Sequence, residues 1–198
     1  LVKNYRLFRF VLSAYGLDKT PEELHKMNVR LAGIFKETAT KAVDLTDFAK
    51  NASVLERRMP IDTAMAGFGA LREGGTAENA SMGMRQVTLG MMAPDREGIK
   101  AIEAMGLKKE QLDMVGESLT EALTTLKTAV EKLPKEQQEP LLKKMFGDQA
   151  IANSFKLMNN VGRIKELEGL QNDPAALARN VATAKESDQS RRNRGENQ

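Results

Sequence analysis

The chain has 198 residues, 41% of them apolar and only 5% aromatic, so it can bury one sizeable core or two small ones, and that core must be aliphatic. Thirty basic and 27 acidic residues leave a formal charge of +3, too small to designate an acidic partner. Cysteine is absent, which excludes disulfides, thiolate nucleophiles and cysteine metal sites.

Few segments alternate with a period of two. The expected fold is therefore all-α, a multi-helix bundle of roughly eight to ten short-to-medium helices with no sheet. Residues 1–16 read as an N-terminal amphipathic helix, with Tyr5, Phe8, Leu12 and Tyr15 on one stripe. Three covers for that stripe stand open: the domain core, a membrane surface met with Arg6 and Arg9, or chain upstream. The thin basic face favours the core. Because the chain begins on Leu1 and not Met, it is expected to be a fragment or a processed product of something longer. Lys3, Arg6 and Arg9 interrupt the apolar residues, so this stretch is neither a signal-peptide core nor a spanning helix.

Residues 17–186 read as one helical domain. Thr20-Pro21-Glu22-Glu23 is a capping box with proline at the first helical position, and predicts a helix to about Ala42. Leu24, Met27, Leu31, Ile34 and Thr38 repeat at heptad spacing over about two heptads. That suits a bundle helix, with an oligomer seam as the alternative. His25, the only histidine, sits in the first turn and reads as solvated surface. Asp44 or Thr46 caps the next helix, through Phe48 to Val54. Pro60 begins another, with Ile61, Met65, Phe68 and Leu71 inward. Gly67 and Gly69 lack the preceding strand and the glycine count of a phosphate loop, so they read as close helix packing. Gly74 and Gly75 are expected to supply a positive φ that stops this helix, and Thr76 to cap the next. Met82, Met84, Met91 and Met92 then form a methionine stripe, read as core with part of it open to a subunit contact.

Pro94 opens a helix and Gly106 closes it. Ser118-Leu119-Thr120-Glu121 is a second capping box. Leu119, Leu123, Leu126, Val130 and Leu133 behind it give the cleanest amphipathic face in the chain, and Pro134 stops it. Lys135 to Phe146 reads as a helix with a break near Pro140. Gly147 reads as a left-handed stop and Asp148 as the next N-cap. Ile151, Phe155 and Met158 face inward, Asn159-Asn160 interrupts, and Val161, Ile164, Leu167 and Leu170 continue. Asp173-Pro174 restarts the pattern. Residues 187–198 hold no apolar side chain and are expected to be a disordered polar tail.

Several of these elements together resemble a known family. Gly74-Gly75-Thr76-Ala77-Glu78-Asn79-Ala80 resembles the glycine, Ser/Thr-Ala-Glu-Glu-Ala turn of phage tail tape-measure proteins, the phage minor tail protein family. The spacing onward to Ala93-Pro94 and to Ala104-Met105-Gly106-Leu107 is similar too. So are Phe146-Gly147-Asp148-Gln149-Ala150 and, upstream, Leu45 to Ser53. The resemblance covers most of Val43 to Ala184. It implies a structural fragment of a tape-measure protein, acting in tail assembly and length determination, with a role in genome delivery open. The implied location is the lumen of the virion tail, after assembly in the bacterial host cytoplasm. The implied partners are tail-tube and tail-assembly proteins, with self-association open. Long heptad arrays and hydrophobic segments are missing from this chain, so the ruler itself would lie elsewhere in the parent.

The residues assemble no catalytic constellation. Glu22 and Glu23 lie at a helix start, where carboxylates favour the dipole. Glu166 and Glu168 sit beside Lys165 on an exposed face. Arg85 and Arg96 are isolated, and Arg191, Arg192 and Arg194 belong to the polar tail. No catalytic, cofactor-binding or metal residue is therefore nominated, and no small-molecule substrate is expected. The alternative reading is a helical protein–protein interaction module, an assembly chaperone or regulator. Near-neutral charge argues against a nucleic-acid partner, and the missing apolar span against a membrane one.

Overall fold

The computed structural model describes residue 9 and residues 11–17, 20–114, 118–179 and 181–182. These residues form nine α-helices and no strand. The helices are α1 (Pro21–Glu37), α2 (Leu45–Glu56), α3 (Ile61–Arg72), α4 (Ala77–Met92) and α5 (Arg96–Ala104). They continue as α6 (Leu119–Glu131), α7 (Lys135–Phe146), α8 (Ile151–Asn159) and α9 (Val161–Asn172). Further helical residues stand at 11–14 and 174–179. The expected all-α bundle without a sheet is what the chain forms.

Helix α3 is the centre. Ile61 and every residue from Ala64 to Leu71 are buried, so it is apolar on all sides. The inward line of Ile61, Met65, Phe68 and Leu71 is only one face of it. Alanines and glycines fill the rest and let α1, α2, α4, α8 and α9 close around it. A Cβ at Gly67 would lie 2.7 Å from the Met84 sulfur, and one at Gly69 would lie 3.1 Å from Ile34. The two glycines serve packing, as their sequence context implies. Phe68 meets Phe48 of α2 edge to face at 5.2 Å, and Tyr15 stacks on Phe48 at 6.5 Å. Val11, Leu12 and Tyr15 are buried in this same core, so the described part of the N-terminal stripe docks onto the domain. Residues 1–8 and 10 of that helix, and the polar tail at 187–198, lie outside the described residues.

Several boundaries differ from the sequence expectation for local reasons. Helix α1 ends at Glu37, not near Ala42. Thr38 turns its hydroxyl onto the Ile34 carbonyl and leaves the helix, a competition that β-branched hydroxyl residues offer at helix ends. Asp44 does not cap α2 with its side chain; its carboxylate accepts from the Lys41 amide and from Arg72. Asp95, not Pro94, caps α5 by accepting from the Gly98 amide. Asp148 pairs with Lys143 instead of capping α8. Helix α7 runs unbroken through Pro140. The ring deprives only the carbonyl of Glu136, an exposed residue near the helix start, of its helical partner. Gly106 and Gly147 take the positive φ expected of stops. Gly74 and Gly75 do not.

Candidate functional site

The turn that carries the family resemblance is also where the chain concentrates its polar contacts. Helix α3 ends at Arg72, where the carbonyls of its last turn run out of intrahelical partners. Instead of a left-handed glycine, the Gly75 amide reaches the Arg72 carbonyl at 3.5 Å and a side chain from a distant helix supplies a further donor. Lys156 of α8 donates to the Leu71 carbonyl at 2.6 Å. Arg72 donates to the Gly75 carbonyl and pairs with Asp44 at 2.9 Å. Arg163 of α9 bonds Glu73 through two nitrogens and the Glu37 carbonyl at 2.6 Å, fastening the end of α1 to the end of α3. A Cβ at Gly74 would lie 3.0 Å from the Lys156 nitrogen. Glycine there makes room for an ammonium rather than for a backbone twist. Burial pushes Lys156 below the ordinary lysine value, with the Glu73 charge opposing. Thr76 then caps α4 by accepting from the Asn79 amide.

Beyond this clasp the surface is indented. A crevice of about 620 Å³ runs between α4 and α8, bounded by Gly75, Asn79, Met82 and Gln86 on one side and by Gln149 and Lys156 on the other. A second, of about 430 Å³, continues it from Gln86 along Leu89 and Ala93 against Lys143, Lys144 and Phe146 of α7. The helices meet beneath it at two glycines of α4. A Cβ at Gly83 would run into the Asn153 amide, and one at Gly90 into the Phe146 ring. A separate crevice of about 410 Å³ adjoins Tyr15 and Glu56. On its rim Lys26 pairs with Glu22 and Glu23, and Arg30 lies 3.7 Å from Asp62. The Tyr15 hydroxyl is buried there with no hydrogen-bond partner.

Other residues weighed from the sequence fall as follows. His25 is exposed. Met84 and Met91 are core, whereas Met82 is 38% exposed and Met92 half-buried, so the methionine stripe is split between the core and the open side of α4. On α8 the buried line is Ser154, Leu157 and Met158, and Ile151 and Phe155 are only half-covered. Glu166 pairs with Arg163. Among the described residues no three acidic, histidine or cysteine side chains gather in a way that could hold a metal, and no helix is long and apolar enough to cross a membrane. Sequence reading missed Lys156 and Arg163 entirely. Nothing local marks a lysine that will close a turn 85 residues earlier.

No match is found among curated proteins or among solved structures. The family model for phage-related minor tail proteins does match, over residues 10–147. That span takes in α1 to α7, the Gly74–Ala80 turn and the α4 side of the crevice; α8 and α9, which bring the clasping Lys156 and Arg163, lie beyond it. The match covers well over half of the sequence, and with the all-helical bundle it places the chain in the phage-related minor tail protein family.

Proposed function

We propose that this chain is a structural segment of a phage tail tape-measure protein, working in tail assembly and length determination from the tail lumen. The family match over residues 10–147 carries the reading. The distribution of polar groups supports it. Lys156, Arg72 and Arg163, which would otherwise be candidates for chemistry, are occupied in closing helix ends. A chain that invests its half-buried cations in holding helices together is built to be a stable part, not a catalyst. Residues 17–186 act as one rigid helical unit in this reading. The proposed partners are tail-tube and tail-assembly proteins, and the location is the virion tail after assembly in the host cytoplasm.

The test is electron microscopy of tails from phage whose parent gene carries an in-frame duplication or deletion of helical segments outside this domain. Tail length shifting in proportion to the residues added or removed is the expected result. Unchanged length would refute the tape-measure role. A second reading, a free-standing helical interaction module that escorts another tail protein, is favoured by the crevice along α4. It predicts tails of normal length but reduced number when this domain is deleted.

A further inference from the structure

A groove beside an exposed helix can be filled by a second copy of itself, each helix entering the other's groove about a two-fold axis. The crevices along α4 share Gln86 and so make one furrow. At about 1.5 Å per residue, α4 gives that furrow a length of about 24 Å. Met82 is exposed and Leu89 half-exposed, one heptad apart and on either side of Gln86. An antiparallel pair of α4 helices about a two-fold beside Gln86 therefore sets Met82 of each protomer against Leu89 of its partner.

The charges of the furrow are balanced, so a partner of either net charge finds nothing to select it. Their order is what a second copy fits. Along α4 and just past its end stand Glu78, Arg85 and Asp95, in the order minus, plus, minus. Along the wall formed by α7 and α8 stand Lys144, Asp148 and Lys156, in the order plus, minus, plus. Lys143 lies beside Asp148, at 2.6 Å. Arg85 is next to Gln86, and Asp148 sits in the turn where the wall passes from one crevice to the other. The same two-fold carries Glu78 to the Lys144 end of the partner's wall, Arg85 to its middle and Asp95 to the Lys156 end. Among the described residues these groups are not already paired across the furrow: Asp95 accepts from the Gly98 amide, and Lys156 donates to the Leu71 carbonyl.

We propose that this furrow is the two-fold interface of a homodimer, in which α4 of each protomer lies in the furrow of the other. Met82 and Leu89 form its apolar centre, and the two charge series close it at the edges. The contact is isologous, so it ends at two copies. One helix of about four turns per protomer is a small contact, and the dimer is expected to be weak, with a dissociation constant of about 10–100 μM. The proposal goes beyond the tail role and does not depend on it.

The test is analytical ultracentrifugation of the full 198-residue chain over a concentration series. A reversible monomer–dimer equilibrium is the expected result. Met82→Glu places two carboxylates in the apolar centre and is expected to weaken the dimer about tenfold or more. Glu78→Lys and Lys144→Glu are each expected to weaken it about threefold, and the double variant to recover to within about twofold of the parent. Within one chain those two sites lie at opposite ends of the furrow, about 18 Å apart along α4, so recovery reports pairing between protomers. Ile99→Glu, on α5, is expected to leave the dimer unchanged. Met82, Glu78 and Lys144 are exposed, so melts of the dilute monomers should match the parent and separate lost association from lost folding. A chain that stays monomeric up to about 1 mM would overturn the proposal. So would a dimer indifferent to Met82→Glu, a double variant no tighter than either single one, or a mass that keeps growing past two copies. Uptake of a different tail protein by a monomeric chain, blocked by Met82→Glu, would give the furrow to that protein instead.

Discussion

Helices α3 and α4 are consecutive, similar in length and each carry two glycines, yet they end in opposite situations. In α3 the small residues face all directions and five helices close on them, so nothing is left over. In α4 the small residues Gly83 and Gly90 lie on one side only. They draw α7 and α8 down close, and that approach opens a furrow beside the remaining face. Small residues all round a helix bury it. Small residues along one line of a helix sink its neighbours and leave the adjacent line proud and uncovered.

The sharpest way to break this contrast is at the centre of α3. Phe68→Ala removes a fully buried ring and its edge contact with Phe48, and is expected to cost about 3–5 kcal/mol, read as a lowered denaturant midpoint. If the loss is under 1 kcal/mol, α3 is not the packing centre. The next test sets glycine against glycine. At Gly90 a new Cβ would lie 2.6 Å from the Met145 carbonyl oxygen as well as against the Phe146 ring, so backbone must move. Gly90→Ala is expected to destabilise by about 1–3 kcal/mol. At Gly67 the same methyl meets the flexible end of Met84, and the helix-propensity gain of about 1 kcal/mol offsets the displacement. Gly67→Ala should therefore stay near neutral, and an equal loss at both sites would show that the α4–α7 approach is not rigid.

A third expectation concerns Tyr15, on the edge of the α3 core. Burial, with the Glu56 charge adding to it, raises its hydroxyl well above the ordinary tyrosine value. An acid held neutral by the fold contributes its stability below the unfolded value near 10 and loses it as pH rises past that point. Relative to Tyr15→Phe, the parent chain is expected to lose about 1.4 kcal/mol per pH unit above roughly 10, followed by chemical denaturation at pH 9, 10 and 11. Parallel pH profiles for the two proteins would show that the hydroxyl reaches solvent. The smallest effect belongs to the open face of α4. Met82→Glu should change stability by less than about 0.5 kcal/mol, because its side chain already meets water.

How much of this could be read from the residues depends on distance along the chain. The capping residues were legible because their partners sit three positions away: Thr20, Thr76 and Ser118 all accept from the expected amides. The buried face of α6 was legible because Leu119, Leu123, Leu126 and Val130 repeat cleanly and are buried, while the fifth expected position, Leu133, lies past the helix end and is half-buried. Helix α3 was only half legible, since alanine and glycine carry no periodic signal even when buried. The conformation of Gly74 and Gly75 was misjudged because the groups that close the turn, Lys156 and Arg163, lie 85 and 90 residues away. The furrow was visible only as a methionine stripe. Which methionines would face solvent depended on where α7 and α8 came to rest.

Those same separations set a schedule for synthesis. At about 5–20 residues per second, a ribosome makes Lys156 roughly 4–17 s after it has made Leu71. Throughout that interval the most apolar helix of the protein is in the nascent chain with its end unfastened and α8 and α9 not yet made. The clasp at the end of α3 can therefore close only once α8 and α9 have emerged, well after the helix it fastens.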